Sequence, residues 1–148
     1  VPPQRLEQTR ALLVELKARP TPEQAISIDL PADVLFDFDK SDLRADAAAP
    51  LIKAGELIKS YATAPLTVRG HTDAKGSDAY NDALSLRRAQ AVARALHAQT
   101  GRQAAVQGLG KRPPVAPNTT PDGRDDPVGR QLNRRVQNLI GLPDKEGR

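Results

Sequence analysis

The chain has 148 residues, enough for one domain with a core of its own plus short extensions. It contains no cysteine, which excludes disulfide bonds and thiolate metal sites, and only 3% aromatic residues, so the core must consist mainly of aliphatic side chains. The net charge of +4 is spread along the chain without a basic block, which argues against nucleic-acid binding. No apolar run approaches the roughly 18 residues of a membrane span, so we expect a soluble piece whose membrane anchor lies outside this sequence.

The N-terminal part of the chain is predicted to be a helical linker over residues 1–23, closed by Pro20 and Pro22. The folded domain is predicted over residues 24–141, and residues 142–148 are predicted to be a flexible tail. A first strand is expected at residues 25–29. Residues 34–39 are predicted to be a second extended segment, in which Phe36 and Phe38 face the same side and pack into the core.

The remaining pattern alternates helices and strands. We predict a helix that ends near Tyr61, a strand at residues 66–69, a long helix at residues 77–99 capped by Gly101, and a strand at residues 103–107. The proline-rich residues 111–130 are predicted to be an irregular loop that precedes a last strand at residues 133–140. This order predicts an α/β fold: a small two-layer sandwich in which two main helices pack on one face of a mixed sheet, in the order βαβαββ.

The long helix carries polar residues on its apolar face. At 100° per residue, Arg88 and Asn81 lie within about 60° of Leu84, inside the stripe that should pack. A buried cation is costly without a partner, and Asp73, in the turn before the helix, is the nearest candidate in the sequence. The residue pattern leaves two possibilities open: an internal Arg88–Asp73 pair, or a pair that serves a ligand.

Several short motifs occur in a fixed order over residues 25–141. They are Phe36-Asp37-Phe38-Asp39-Lys40, Gly70-His71-Thr72-Asp73, Gly76, Asn81, Leu84-Ser85, Arg88-Ala89 and Asn133-Arg134-Arg135-Val136. Together they resemble the OmpA C-terminal-like domain, a family that includes peptidoglycan-associated lipoproteins and flagellar stator proteins. The resemblance implies a periplasmic protein, associated with the outer membrane in its full-length form. It further implies non-covalent binding of peptidoglycan through the diaminopimelate residue of the stem peptide, which tethers the outer membrane or an envelope complex to the cell wall.

The resemblance also implies which residues contact the ligand. Asp73 and Arg88 form the centre of the site, because a carboxylate and a guanidinium match the ammonium and carboxylate at the end of diaminopimelate. Further contacts are implied for Thr72, Gly76, Asn81, Asp39 and one arginine of the Asn133-Arg134-Arg135 motif. Arg134 and Arg135 should point to opposite faces of the last strand, and we favour Arg135 as the ligand contact.

Other chemistry has weaker support in the sequence. His71 is expected to form a local hydrogen bond at a strand end rather than to bind a metal, and Ser85 lies within a helix rather than on a nucleophile turn. We therefore predict no enzyme activity, no cofactor and no metal. The predicted partners are peptidoglycan and other envelope proteins, with no nucleic acid. The alternative function is a protein-interaction module of an envelope, secretion or motility complex in which the glycan site is unused.

Overall fold

The computed structural model describes residues 1–22 and 24–141. Its strands are β1 (Arg19–Pro20), β2 (Ile26–Pro31), β3 (Leu66–His71), β4 (Ala105–Gly110) and β5 (Arg135–Ile140). Its helices are α1 (Leu6–Glu15), α2 (Ala32–Leu35), α3 (Ala48–Lys59), α4 (Asp78–Thr100) and α5 (Pro127–Asn133). Within these ranges, no helix is both long enough and apolar enough to cross a membrane.

The five strands form one mixed sheet in the order β1-β2-β5-β3-β4. Strand β5 lies between β2 and β3 and is antiparallel to both, whereas β3 and β4 are parallel and are connected by α4. One hydrophobic core joins the sheet to α3 and α4, and it includes Ile28, Leu57, Val68, Val92 and Val136. The predicted two-layer α/β sandwich with two main helices on one face is confirmed.

Helix α4 lies unusually close to the sheet. A Cβ atom on Gly70 of β3 would be 2.0 Å from the carbonyl oxygen of Ser85, and one on Gly108 of β4 would be 2.6 Å from the backbone nitrogen of Leu86. The ends of the helix follow the predicted signals, because the Ser77 hydroxyl accepts a hydrogen bond from a backbone N–H and Gly101 has a φ of 73° at the C-cap. The first half of α4 is thereby held over the end of β3.

The N-terminal segment is helical, as predicted, but it packs on the domain. Leu12 of α1 is buried in the core, and the Thr9 hydroxyl donates a hydrogen bond to Ser60 Oγ at 2.8 Å. Strand β1 then pairs with β2. In the described structure these residues are therefore part of the folded unit rather than a separate linker. The predicted tail at residues 142–148 lies outside the described residues.

The prediction of an extended segment at residues 34–39 is wrong. Residues Ala32–Leu35 form one helical turn, Phe36 makes a single antiparallel bridge with Leu43, and the chain then reverses between Asp37 and Lys40. The alternation of a strand ends at this turn, because Asp39 has a φ of 64°. Phe36 is buried as predicted, whereas Phe38 is 91% exposed.

The predicted loop at residues 111–130 ends in a helix. Asp126 caps α5 by accepting a hydrogen bond from the backbone N–H of Gly129 at 3.0 Å, and Pro127 occupies the first helical position. The helix includes Asn133, so β5 begins at Arg135 and not at Asn133 as predicted. Residues 111–126 contain one isolated bridge, between Thr119 and Asp125.

Candidate functional site

A cleft of about 610 Å³ lies at the C-terminal end of β3. Its walls are the turn at residues 37–40, the connection between β3 and α4, the first half of α4, and α5. Of the predicted binding residues, those that line it are Asp39, Thr72, Asp73, Gly76, Asn81, Arg88 and Arg134. Arg135 does not line this cleft.

The Arg88 guanidinium lies beneath the turn at residues 37–40. Its Nε donates a hydrogen bond to the Lys40 carbonyl at 2.8 Å, and its Nη2 donates to the Asp37 carbonyl at 3.3 Å. Its Cζ atom lies 5.1 Å from the centre of the Phe36 ring, a distance suited to a cation–π contact. Burial lowers the pKa of Arg88, and the more distant Asp33 and Asp39 carboxylates oppose that effect.

Arg88 does not pair with Asp73. Among residues 1–22 and 24–141, no carboxylate oxygen lies within 4.0 Å of the Arg88 guanidinium. Its positive charge is therefore held by carbonyl dipoles and an aromatic face. A guanidinium keeps its proton even when buried, so a positive charge without a direct ion-pair partner among the described residues faces the cleft.

Asp73 is also buried, and its carboxylate has partners from α5 and from its own loop. Its Oδ2 accepts hydrogen bonds from Arg134 Nη1 at 2.7 Å and from Arg130 Nη1 at 3.5 Å. Its Oδ1 accepts one from the backbone N–H of Lys75 at 2.9 Å. The internal Arg88–Asp73 pair that the sequence left open is therefore not formed, because Asp73 pairs instead with Arg134, supported by Arg130.

Helix α5 supplies two arginines to the cleft because positions 130 and 134 are four residues apart and share one side of the helix end. Arg134 also binds Asp33 through two hydrogen bonds, at 3.1 Å and 3.0 Å, and this contact raises the pKa of Arg134. Arg130 binds Asp125 at 2.6 Å and 2.7 Å, and this contact raises the pKa of Arg130. The two cations are therefore fixed by acidic residues on their outer sides.

Arg130 was not among the predicted site residues. It lies in the proline-rich stretch that was predicted to be an irregular loop, with weak contacts to the cell wall expected for its basic residues. The signal that defines it is the pair Asp126-Pro127, since Asp at the N-cap followed by Pro at the first helical position marks the start of a helix. A helix from that point places Arg130 and Arg134 together.

Arg134 lines the cleft, whereas Arg135, the arginine favoured from the sequence, does not. Strand β5 begins at Arg135, and its Val136 faces the helices, so the Arg135 side chain points to the opposite face of the sheet. There its Nη2 donates to the Pro113 carbonyl at 3.4 Å and its Nε lies 3.6 Å from Asp29 Oδ2. Burial lowers the pKa of Arg135, while Asp29 opposes that effect.

The connection from β3 to α4 is held by its own polar groups. The Thr72 hydroxyl donates to the Asp73 carbonyl at 2.8 Å, and the Asn81 side-chain amide donates to the Lys75 carbonyl at 2.8 Å. Gly76, which ends this connection, has a φ of 89°, a conformation that glycine adopts without strain. These contacts fix the position of the Asp73 carboxylate.

Two further predicted residues lie at the edges of this region. Asp39 is exposed on the turn above Arg88, and its carboxylate accepts a hydrogen bond from the Tyr80 hydroxyl of α4. His71 is buried on the sheet face opposite the helices, where Nδ1 is 3.0 Å from the Arg112 carbonyl and Nε2 is 3.2 Å from Gln137 Oε1. His71 thus forms hydrogen bonds at the end of β3, as predicted, but with residues that are distant in the sequence.

Comparison with known proteins identifies the family. The OmpA family matches residues 35–126, more than half of the chain. This chain belongs to the OmpA family. The family match includes the turn at residues 37–40, Asp73 and Arg88, and it ends at the N-cap of α5.

This OmpA-family chain is similar to proteins of several architectures. It is 44% identical to Photosystem I P700 chlorophyll a apoprotein A2 of Gloeobacter violaceus over 90% of this chain and 16% of that protein. It is 40% identical to outer membrane porin F of Pseudomonas aeruginosa, over 84% of this chain and 35% of the porin. It is 33% identical to the peptidoglycan-associated lipoprotein of Rhizobium meliloti, over 84% of this chain and 68% of the lipoprotein. The chain thus spans a minor part of the first two relatives.

Among solved structures, the OmpA-family fold of this chain is similar to the cell wall anchor of the T6SS from Pseudomonas aeruginosa. The two superpose with a TM-score of 0.73 at 25% identity, over 93% of this chain and 97% of the anchor. These relatives carry names of envelope and anchoring proteins or of a larger photosystem subunit, and none of those quoted is named as a hydrolase.

Proposed function

We propose that this domain binds peptidoglycan non-covalently through the diaminopimelate residue of the stem peptide, and so tethers an envelope complex or the outer membrane to the cell wall. The observation that carries the proposal is the buried Arg88, whose charge has no carboxylate within 4.0 Å among the described residues, in the same cleft as the buried Asp73. Arg88 and Asp73 share a cleft but do not pair with each other. They therefore match the carboxylate and the ammonium at the zwitterionic end of diaminopimelate.

The carboxylate of the ligand is expected to bind Arg88. Only one N–H of its Nη2 is used by the Asp37 carbonyl, and Nη1 makes no hydrogen bond to the described residues. Two parallel N–H groups therefore remain for a bidentate contact with a carboxylate. Such a ligand supplies a negative charge to Arg88, which has no carboxylate within 4.0 Å among the described residues.

The ammonium of the ligand is expected to bind Asp73. A carboxylate has about four acceptor positions, and Asp73 uses three of them, for Lys75 N–H, for Arg134 and, at the long distance of 3.5 Å, for Arg130. The weak Arg130 contact is the one that an ammonium replaces at least cost. Thr72 and Asn81 act indirectly, because their hydrogen bonds set the path of the loop that carries Asp73.

The names of relatives support the same function. One relative is a peptidoglycan-associated lipoprotein, and one structural neighbour is a cell wall anchor. We infer from them a periplasmic location and a binding role rather than a catalytic one.

The test is a sacculus pulldown with two variants on the same helix. Arg88→Ala removes the proposed carboxylate ligand, and Arg87→Ala removes an exposed neighbouring charge as the control. We expect Arg88→Ala to abolish retention on sacculi while Arg87→Ala and the wild type are retained and are released by free diaminopimelate. Loss of a buried charge-assisted contact costs on the order of 2–5 kcal/mol, enough to eliminate a weak interaction. Retention of a folded Arg88→Ala variant would overturn the proposal.

A further inference from the structure

The least buried aromatic side chain of the described structure lies on the wall of the cleft. The chain has only two phenylalanines and two tyrosines, and Phe38 is 91% exposed. Tyr80, which lines the same cleft, is 40% exposed. An exposed aromatic ring leaves a large apolar area in contact with water, which is unfavourable. A ring beside a binding cleft can remove that area from water by contacting a ligand.

The exposure of Phe38 is a consequence of a turn that is fixed from several sides. The backbone N–H of Lys40 donates to the Asp37 carbonyl at 3.0 Å, which closes the turn. Arg88, which lies below the turn, donates hydrogen bonds to the carbonyls of Asp37 and Lys40. Tyr80 binds the side chain of Asp39. The contacts of the turn at residues 37–40 therefore fix the backbone in a conformation that points the Phe38 ring outward.

We propose that Phe38 stacks against a pyranose ring of the glycan strand and so forms a sugar subsite beside the diaminopimelate site. This inference rests on the proposed function and extends it from the peptide to the sugar. One face of a pyranose ring presents C–H bonds, whose weak positive charge matches the negative face of an aromatic ring. The ring of Phe38 offers such a face without a polar group that would need a partner.

The neighbours of Phe38 favour a sugar over a lipid surface. Asp37 and Asp39 flank it in the sequence, and the side chain of Asp37 is 71% exposed. Carboxylates accept hydrogen bonds from sugar hydroxyl and amide groups, whereas they would be repelled by anionic lipid headgroups. The flat apolar face of Phe38, together with the carboxylate acceptors of Asp37 and Asp39, fits a pyranose ring with its hydroxyl groups.

The experiment compares two ligands that differ only in the sugar. One is a muropeptide, in which a disaccharide carries the diaminopimelate stem peptide, and the other is the same stem peptide without sugar. We expect Phe38→Ala to weaken binding of the muropeptide about five- to tenfold and to leave affinity for the free stem peptide within about twofold. Val14→Ala, which removes a 79% exposed apolar side chain on α1, should change neither affinity.

Two conservative variants separate stacking from simple apolar contact. Phe38→Tyr keeps the flat face and should retain muropeptide binding, whereas Phe38→Leu keeps apolar area without the face and should behave like Phe38→Ala. An equal loss for both ligands would place the ring on the peptide and overturn the sugar subsite. Unchanged muropeptide binding by Phe38→Ala would overturn it as well. In both cases the diaminopimelate proposal stands, since it is tested separately, by wild-type binding of the stem peptide and by the Arg88→Ala variant.

Discussion

Asp73 Oδ2 accepts a hydrogen bond from Arg134 Nη1 at 2.7 Å, so the carboxylate at the centre of the cleft already has a cationic partner before any ligand arrives. Among the described residues, in contrast, no carboxylate lies within 4.0 Å of the Arg88 guanidinium, which contacts backbone carbonyls and the Phe36 ring. A ligand that brings an ammonium alone must compete with Arg134, whereas a carboxylate meets an unsatisfied cation. The carboxylate is therefore expected to contribute most of the selectivity.

The first prediction concerns stem peptides that contain lysine in place of diaminopimelate. Lysine has the terminal ammonium but lacks the adjacent carboxylate, so it leaves Arg88 without a countercharge in the bound state. We expect the lysine peptide to bind more than about tenfold less tightly, a difference of about 1.4 kcal/mol or more, in titration calorimetry. Equal affinities would show that the carboxylate does not reach Arg88.

The second prediction concerns Asn133, which joins α5 to the proline-rich loop. Its side-chain oxygen accepts from the backbone N–H groups of Val115 and Ala116 at 2.8 Å and 2.9 Å, and its amide donates to Asn118 Oδ1 at 3.0 Å. Asn133→Ala removes the acceptor of the Val115 and Ala116 N–H groups and should destabilise the domain by about 1–3 kcal/mol.

Denaturant unfolding measures that loss, and Gln131→Ala, an exposed change on the same helix, is the control. Hydrogen exchange adds a local readout, since the amides of Val115 and Ala116 should exchange faster in Asn133→Ala. If the loop amides keep their protection, the loop is held by other contacts.

The third prediction is a pH dependence of stability. Burial lowers the pKa of His71 below its ordinary value of 6.5, and the nearby Arg135 charge acts in the same direction. The unfolded chain then binds a proton more readily than the folded state. The contribution of neutral His71 is fully present above pH 6.5 and is lost as the pH falls through the lowered folded-state pKa.

Thermal denaturation of the wild type and of His71→Gln at about pH 7.5 and about pH 5.5 measures this effect. We expect the melting temperature to fall more on acidification in the wild type than in His71→Gln, whose amide does not titrate. Parallel losses in the two proteins would assign the acid sensitivity to other groups.

Much of the fold was predictable because its signals are local. Ser77 and Gly101 mark the ends of α4 through capping chemistry, and the periodicity of that helix correctly placed Arg88 and Asn81 on its buried side. The turn at residues 37–40 was not predictable in the same way, because the alternation of Phe36-Asp37-Phe38-Asp39 imitates a half-buried strand. Only the φ of Asp39 and the buried guanidinium below reveal that the second phenylalanine points outward.

The arginine of the last motif shows a different limit. Alternation in a strand predicts that the two side chains point to opposite faces, but it does not say beside which face the cleft lies. The cleft wall at this point is built by α5, whose start at the Asp126-Pro127 pair lies in a proline-rich stretch that was predicted to be a loop. The choice between Arg134 and Arg135 therefore depended on a helix that the predicted pattern did not include.

The two glycines beneath α4 allow the helix that carries Arg88 to lie close to the sheet. Gly70 and Gly108 let the backbone of the helix lie against the sheet, and Arg88 is carried on the same helix one turn after the contact with Ser85. A methyl group at either position would lift this segment and carry the guanidinium away from the carbonyls of Asp37 and Lys40. Because Gly70 and Gly108 have no side chains, they help to fix the position of the Arg88 guanidinium, which is the group that the ligand carboxylate is proposed to contact.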